Sequence, residues 1–228
     1  MLRSEINRIM RDADAFIGSF GFLLPPFAYW SPGDFRNRRR EASDIIARRL
    51  GWDITDYGLG QFDKTGVFLF TLRNGRLADL QEGRGMLYAE KIMISRQDQV
   101  CPMHRHNLKA EDIINRGGGK LVIELFMPDG EGRIDPKAPV EVPSDGIRKR
   151  LRAGGRLALS PGESVTLLPG VWHAFWGEEG DVLVGEVSTV NDDLTDNVFR
   201  DAIGRFPDVE EDEPPLHLLV GDYDRLLS

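Results

Sequence analysis

One cysteine, Cys101, stands among 228 residues, so no internal disulfide can form. A reducing cytoplasm is the simplest compartment for such a chain. No apolar run approaches the roughly 18 residues needed to cross a bilayer. Met1 to Met10 carries charges throughout and has no signal-peptide core. Positive charge is in deficit: 29 Lys and Arg face 37 Asp and Glu, a net charge of -8. That balance argues against nucleic acid and an anionic membrane as main partners. The one basic stretch, Arg36-Asn37-Arg38-Arg39-Arg40, is answered at once by Glu41 and reads as a solvated helix face. Repeats and low-complexity linkers are missing. Gly117-Gly118-Gly119 lacks the Lys-Ser/Thr ending of a phosphate-binding loop and reads as a tight turn between strands. Histidine is scarce too. Of four in the chain, three fall in two short strings.

What is present describes an ordinary globular protein, 41% hydrophobic and 29% charged, long enough for one good core. The first fifty residues read as helical. Ile6, Ile9, Met10, Ala13, Phe16, Ile17 and Phe20 recur at helical spacing, with Ser4 placed to cap the start and Gly21 the end. After Pro25-Pro26, Ser31-Pro32 reads as a second N-cap with its first-turn proline, and Ile45, Ile46 and Leu50 form an apolar stripe. Beyond Trp52 the pattern changes to short apolar segments: Val67 to Leu72, Leu87 to Ile94, Leu121 to Phe126, Arg156 to Leu159, Ser164 to Leu168 and Val182 to Val187. Asn74-Gly75 reads as a turn, and other Gly and Pro pairs punctuate the rest. Many short strands with frequent turns predict a sandwich or barrel. An acidic run, Asp208 to Glu213, precedes Leu216, Leu218, Leu219, Tyr223 and Leu226, so the tail is expected to pack on the body.

The two histidine strings are His104-Arg105-His106-Asn107-Leu108-Lys109-Ala110-Glu111 and Pro169-Gly170-Val171-Trp172-His173. Neutral imidazole is the commonest protein ligand for transition metals. Two imidazoles separated by one residue point the same way on an extended strand. The spacing therefore predicts a metal site on a β scaffold. Cys101, three residues before His104, reads as a small buried hydrophobe, with a ligand role conceivable. His217 has no partner pattern and reads as structural or surface.

The spacing from His104 through Glu111 to Gly118, answered by Gly170 and His173, resembles the two motifs of the cupin superfamily. The resemblance implies a mainly β jelly-roll (double-stranded β-helix) barrel over residues 1–228 as a single cupin domain, with helices of residues 1–50 packed on it. It implies His104, His106, Glu111 and His173 as ligands of a divalent metal. Three positions depart from the motifs: Asp98 stands where a glycine is expected, Leu168 where a proline is, and Gly177 where an asparagine is. Longer strings are more specific. Gly51 to Gly58, Glu111 to Gly119, Gly185 to Asp193 and Gly204-Arg205-Phe206-Pro207 resemble the bacterial D-lyxose isomerase family. That resemblance implies a manganese-dependent, homodimeric aldose–ketose isomerase acting on D-lyxose and D-xylulose, often also on D-mannose and D-fructose.

Three imidazoles and a carboxylate leave coordination positions open, and the set suits Mn2+, Co2+, Fe2+, Ni2+ or Zn2+ alike. Isomerisation further needs a carboxylate to carry a proton between C2 and C1. The resemblance favours a glutamate of the acidic run as base, Glu211 first and Glu213 second, reaching over the barrel mouth; the bland alternative is a solvated tail. Lys109 is either a hydrogen-bond donor to the sugar or a loop lysine. Glu186, on the alternation of Val182 and Val184, is expected to point into the barrel and bind substrate. Asp192 and Asp193 follow a strand and bind hydroxyls or form a turn. Trp172 and Phe175, with Trp176, are sugar-stacking candidates or packing. Two other functions use the same residues: an Fe(II) cupin dioxygenase, which an apolar pocket would favour, and a non-catalytic sugar-binding cupin.

Overall fold

The computed structural model describes residues 1–227. In chain order it contains helices α1 (Arg3–Ser19), α2 (Pro32–Asn37) and α3 (Ser43–Ala47), then strands β1 (Gly51–Thr55) and β2 (Val67–Arg73). Helix α4 (Leu77–Glu82) is followed by β3 (Tyr88–Ser95), β4 (Cys101–His106), β5 (Glu111–Pro128), β6 (Ile134–Asp135), β7 (Val140–Ser144) and β8 (Ile147–Leu151). Then come β9 (Gly155–Leu159), β10 (Ser164–Leu167), β11 (Trp172–Thr189), β12 (Asn197–Phe199) and α5 (Tyr223–Leu226). Ten strands join one antiparallel sheet in the path β1-β2-β3-β11-β4-β12, with β5 pairing β11, β6, β9 and β10 off that path. β7 and β8 form a separate hairpin. The sheet curls into a cupin barrel.

β5 and β11 are the spine. Each has 18 residues, and they pair from Trp172↔Phe126 to Ser188↔Glu111. Gly117-Gly118-Gly119 is therefore not a turn between strands. It lies inside β5, where the register against β11 shifts between Glu178 and Val182. The backbones approach so closely that a Cβ on Gly118, at φ +96, would stand 2.1 Å from the Asp181 carbonyl oxygen. The bend lets one long strand serve two walls of the barrel.

Period-two alternation explains why β2 reads as a continuous apolar run. Its Val67 and Leu69 join the barrel core with Ile123, Leu125, Val182 and Val184. Its Phe68 and Phe70 turn outward, with Trp52, Ile54, Ile92 and Ile94, against Ile6, Ile9, Met10, Ala13 and Ile17 of α1. Both faces are buried, so neither position can be polar. By the same alternation Lys91, the neighbour of Ile92, shares the inward side with Met93. The basic stretch around Arg36 to Arg40 is exposed, as its composition predicts. Ser31 caps α2 in a reciprocal box with Asp34. Asn74-Gly75 follows the end of β2 as expected, and α4 intervenes before β3; Asn74 is buried, donating to the Asn191 carbonyl at 2.9 Å.

The acidic run is not a free tail. It is tied residue by residue to the start of α1. The Met1 ammonium donates to the Asp208 carbonyl at 2.6 Å, and the Arg3 amide to the Glu210 carbonyl at 2.9 Å. Arg3, fully buried, donates to both oxygens of Glu211 (2.9 and 2.8 Å) and both of Asp222 (2.9 and 2.8 Å). Ser4 lies inside α1 and does not cap it. Asp212 takes that role from across the chain, accepting from the Ser4 amide at 2.9 Å, where the helix dipole favours a carboxylate. Asn7 donates to Glu213 at 2.6 Å.

Candidate active site

β4 and β11 lie side by side, with His104 opposite His173. His106 follows two residues along β4, and Glu111 opens β5 opposite Ser188. Alternation thus aims all four side chains inward, and all four are buried. The imidazole rings crowd together, their centroids 4.1 to 5.6 Å apart. Nitrogens of the three histidines lie within 4.8 Å of one another. Glu111 Oε1 stands 3.3 Å from His106 Nε2 and 3.2 Å from His173 Nε2.

The wiring behind these groups fits a cation. His104 Nδ1 lies 2.7 Å from the Pro102 carbonyl and His173 Nδ1 lies 3.0 Å from the Val171 carbonyl. A carbonyl only accepts, so each Nδ1 carries the proton and each Nε2 keeps its lone pair. Burial, reinforced by the neighbouring imidazoles, pushes His104 well below its ordinary pKa, and burial with Lys109 lowers His106. Burial would raise Glu111, but Lys109 and His106 outweigh it and hold the carboxylate ionised. Both nitrogens of His106 and Oε1 of Glu111 are buried without a hydrogen-bond partner. Such orphaned atoms are costly unless a ligand satisfies them, and three neutral imidazoles with a carboxylate suit a divalent metal. His106→Ala is expected to weaken metal binding by more than about a hundred-fold, read by elemental analysis after dialysis.

From Glu111 a line of alternating charges runs through the barrel. Lys109 Nζ sits 2.7 Å from Glu111 and 3.0 Å from Glu186. Lys91 Nζ is 3.5 Å from Glu186 and 3.8 Å from Asp193. Arg205 stands 3.5 Å from Asp193 and 2.6 Å from Asp53. These groups, Asp53 excepted, line a cavity of about 50 Å3 with the histidines, Tyr57, Cys101, Phe175, Asn197 and Phe199. Burial would raise Glu186, but Lys109 and Lys91 outweigh it and lower it. Burial dominates at Asp53, raising it despite Arg205.

The expected residues divide sharply. His104, His106, Glu111, His173, Lys109, Glu186 and Phe175 meet at the cavity. Glu211 and Glu213 do not. Glu211 is engaged by Arg3 and Arg225, and Glu213 by Asn7, because the acidic run is pinned to α1 rather than folded over the barrel mouth. Trp172 donates from Nε1 to the Gly132 carbonyl at 3.1 Å and packs with Met103 and Ala174. Trp176 lies under Arg156. Asp192 accepts from Thr195 Oγ1 at 2.6 Å and forms a turn; its neighbour Asp193 reaches the cavity instead. Cys101 is buried beside Tyr57, and burial pushes its thiol up to about 12, out of thiolate range. His217 stacks on Trp52 at 5.7 Å, a structural role. Lys91 was missed, although it is a charged residue on the apolar alternation of β3, and Arg205 stood only within the string Gly204-Arg205-Phe206-Pro207 with no role drawn for it.

Two of the three motif departures, Asp98 and Gly177, also find reasons. Asp98 has φ +59, the left-handed region that a glycine would occupy and that aspartate tolerates. At Gly177 a Cβ would meet three carbonyl oxygens at 2.9 to 3.0 Å.

Fold and site together define a cupin-type enzyme with a polar, charge-laced cavity beside a three-histidine cluster. The D-lyxose isomerase family model matches residues 1–223. A D-lyxose/D-mannose isomerase of Serratia proteamaculans is 47% identical over 231 residues, covering 100% of both chains. One from Escherichia coli O157:H7 is 44% identical over 98% of each. Among solved structures, Acinetobacter sp. DL28 L-ribose isomerase in complex with L-ribose shares the fold at a TM-score of 0.62 and 15% identity, over 92% of this chain and 98% of that one. The chain belongs to the D-lyxose isomerase family and is an aldose–ketose isomerase.

Proposed function

We propose that this enzyme interconverts D-lyxose with D-xylulose, and D-mannose with D-fructose, using a divalent metal held by His104, His106, Glu111 and His173. The observation that carries the reading is the charged line Glu111–Lys109–Glu186–Lys91 beside the imidazole cluster. An oxygenase acting on an apolar substrate has no use for four buried charges there, whereas a polyhydroxylated sugar has. When bound, the metal would supply Lewis-acid stabilisation of negative charge on the sugar's first two oxygens.

The chain's own residues account for the proton movement. Whereas Asp193 lies further along the line of contacts, Glu186 is the cavity carboxylate outside the proposed ligand set that comes next to Glu111 and the imidazole cluster, one lysine away. Its carboxylate removes the proton from C2. The C2–H electron pair forms the C1–C2 double bond, and the carbonyl pair moves to O1. The O2 proton then passes to O1, C2 becomes the carbonyl carbon, and Glu186 returns its proton to C1. Lys109 keeps Glu186 ionised and donates to developing charge on the sugar. The cavity has room for only a few waters. Sugar entry therefore requires the cavity to open.

Metal-depleted and Mn2+-reloaded enzyme assayed on D-lyxose and D-mannose tests the reading. Ketose formation restored by metal is expected. No turnover of either sugar by metal-loaded enzyme would overturn it. Manganese as the native ion, a homodimer and residence in the cytoplasm belong to this proposal. Elemental analysis, sedimentation and cell fractionation check them.

A further inference from the structure

We propose that Arg205 is a substrate-positioning residue, gripping the hydroxyls of the sugar beyond C3 through its Nη1. The inference rests on the isomerase reading and gives a role to a residue that the sequence placed in a string but left without one. Arg205 lines the cavity from the irregular segment after β12. Its Nη2 is committed to Asp53 at 2.6 Å, with Asp193 at 3.5 Å, and its guanidinium lies over Phe206 at 4.9 Å. Nη1 is buried and has no hydrogen-bond partner. A guanidinium fixed on one side, with unsatisfied N–H groups on the other, is built for an acceptor that arrives from outside the chain.

Two facts choose the acceptor. The first is charge. Asp53 and Asp193 already offset the single positive charge of Arg205. A phosphate or carboxylate at Nη1 would face both acids, whereas a neutral hydroxyl accepts from Nη1 without that repulsion. The second is position. Along the line of contacts, the imidazole cluster is followed by Glu111, Lys109, Glu186, Lys91 and Asp193 before Arg205 is reached. C1 and C2 belong at the cluster and Glu186. The carbons left over extend toward the other end.

The test uses metal-loaded wild type, Arg205→Lys and Arg205→Gln, with melting temperatures recorded for each. Arg205→Lys keeps a cation for Asp53 and so separates binding from folding. Affinity for a five-carbon polyol is measured by calorimetry, independently of turnover, beside that for glyceraldehyde, which keeps C1 and C2 and lacks the chain end. Both variants are expected to lose about ten- to a hundred-fold in polyol affinity and in KM for the pentose, the range for a charge-assisted hydrogen bond. Glyceraldehyde affinity stays unchanged, and kcat moves less than about three-fold. Equal losses for short and long ligands, or no loss in either variant, would overturn the proposal. A wild type that binds the polyol but turns over no aldose would instead strike the isomerase reading.

Discussion

Replacing Glu186 with glutamine is expected to cut turnover by about a hundred- to ten-thousand-fold while the metal stays bound. The amide keeps the shape of the side chain and can still accept from Lys109, so binding is disturbed little. What it loses is the ability to take a proton from C2. Glu186 is 4% exposed, and both Lys109 and Lys91 face it, so no water or neighbouring acid replaces it cheaply. Ketose formed in deuterium oxide gives a second reading. Proton transfer through Glu186 admits solvent deuterium at C1, whereas direct hydride migration admits none. An E186Q variant with wild-type turnover would move the base elsewhere in the cavity. Glu211→Gln is expected to leave kcat essentially intact, because Glu211 serves Arg3.

Arg3→Met is expected to destabilise the fold by about 3–5 kcal/mol, the usual cost of stranding one member of a buried ion pair. For a chain of this size that lowers the melting temperature by roughly 10 °C or more. Arg3 is fully buried, and Asp222, 5% exposed at its side chain, would remain inside without it. Asp222→Asn added to Arg3→Met is expected to recover part of the loss, because a neutral amide tolerates burial better. The same clasp makes stability depend on acid. Hydrogen bonds from Arg3, with those from Arg225, hold Glu211 down at about 2. The unfolded chain titrates this group near its ordinary value of about 4.3. Its contribution is therefore complete above about pH 4.3 and disappears as pH falls toward 2. Melting curves at pH 7 and pH 3 check the sign: Arg3→Met should narrow the difference between them.

The cluster of His104, His106 and His173 was legible because strand geometry is local. His104 and His106 share a face by period two whatever the rest of the chain does, and Glu186 follows Val182 and Val184 by the same rule. The helical stripe of α1 and the alternation of the strands were equally plain, since burial against a neighbour imposes them. Which acids reach the cavity was not legible. Five carboxylates in the acidic run satisfy the same composition, and nothing local distinguishes a lid from a clasp. Arg3 decides it, two hundred residues away, by drawing Glu211 and Asp222 onto the start of α1. Asp192 and Asp193 show the limit at its smallest scale. They are adjacent and chemically identical, yet one closes a turn and the other reaches Lys91. Trp172 and Phe175 divide by the period-two rule itself: Phe175 shares the cavity face with His173, and Trp172 packs on the other face with Ala174. By itself, then, the sequence determined the face that carries the histidine cluster, the β scaffold and the family, all properties of spacing along the chain. The tertiary structure alone decided which acids reach the cavity, since that depends on which distant cations neutralise each carboxylate once water is gone.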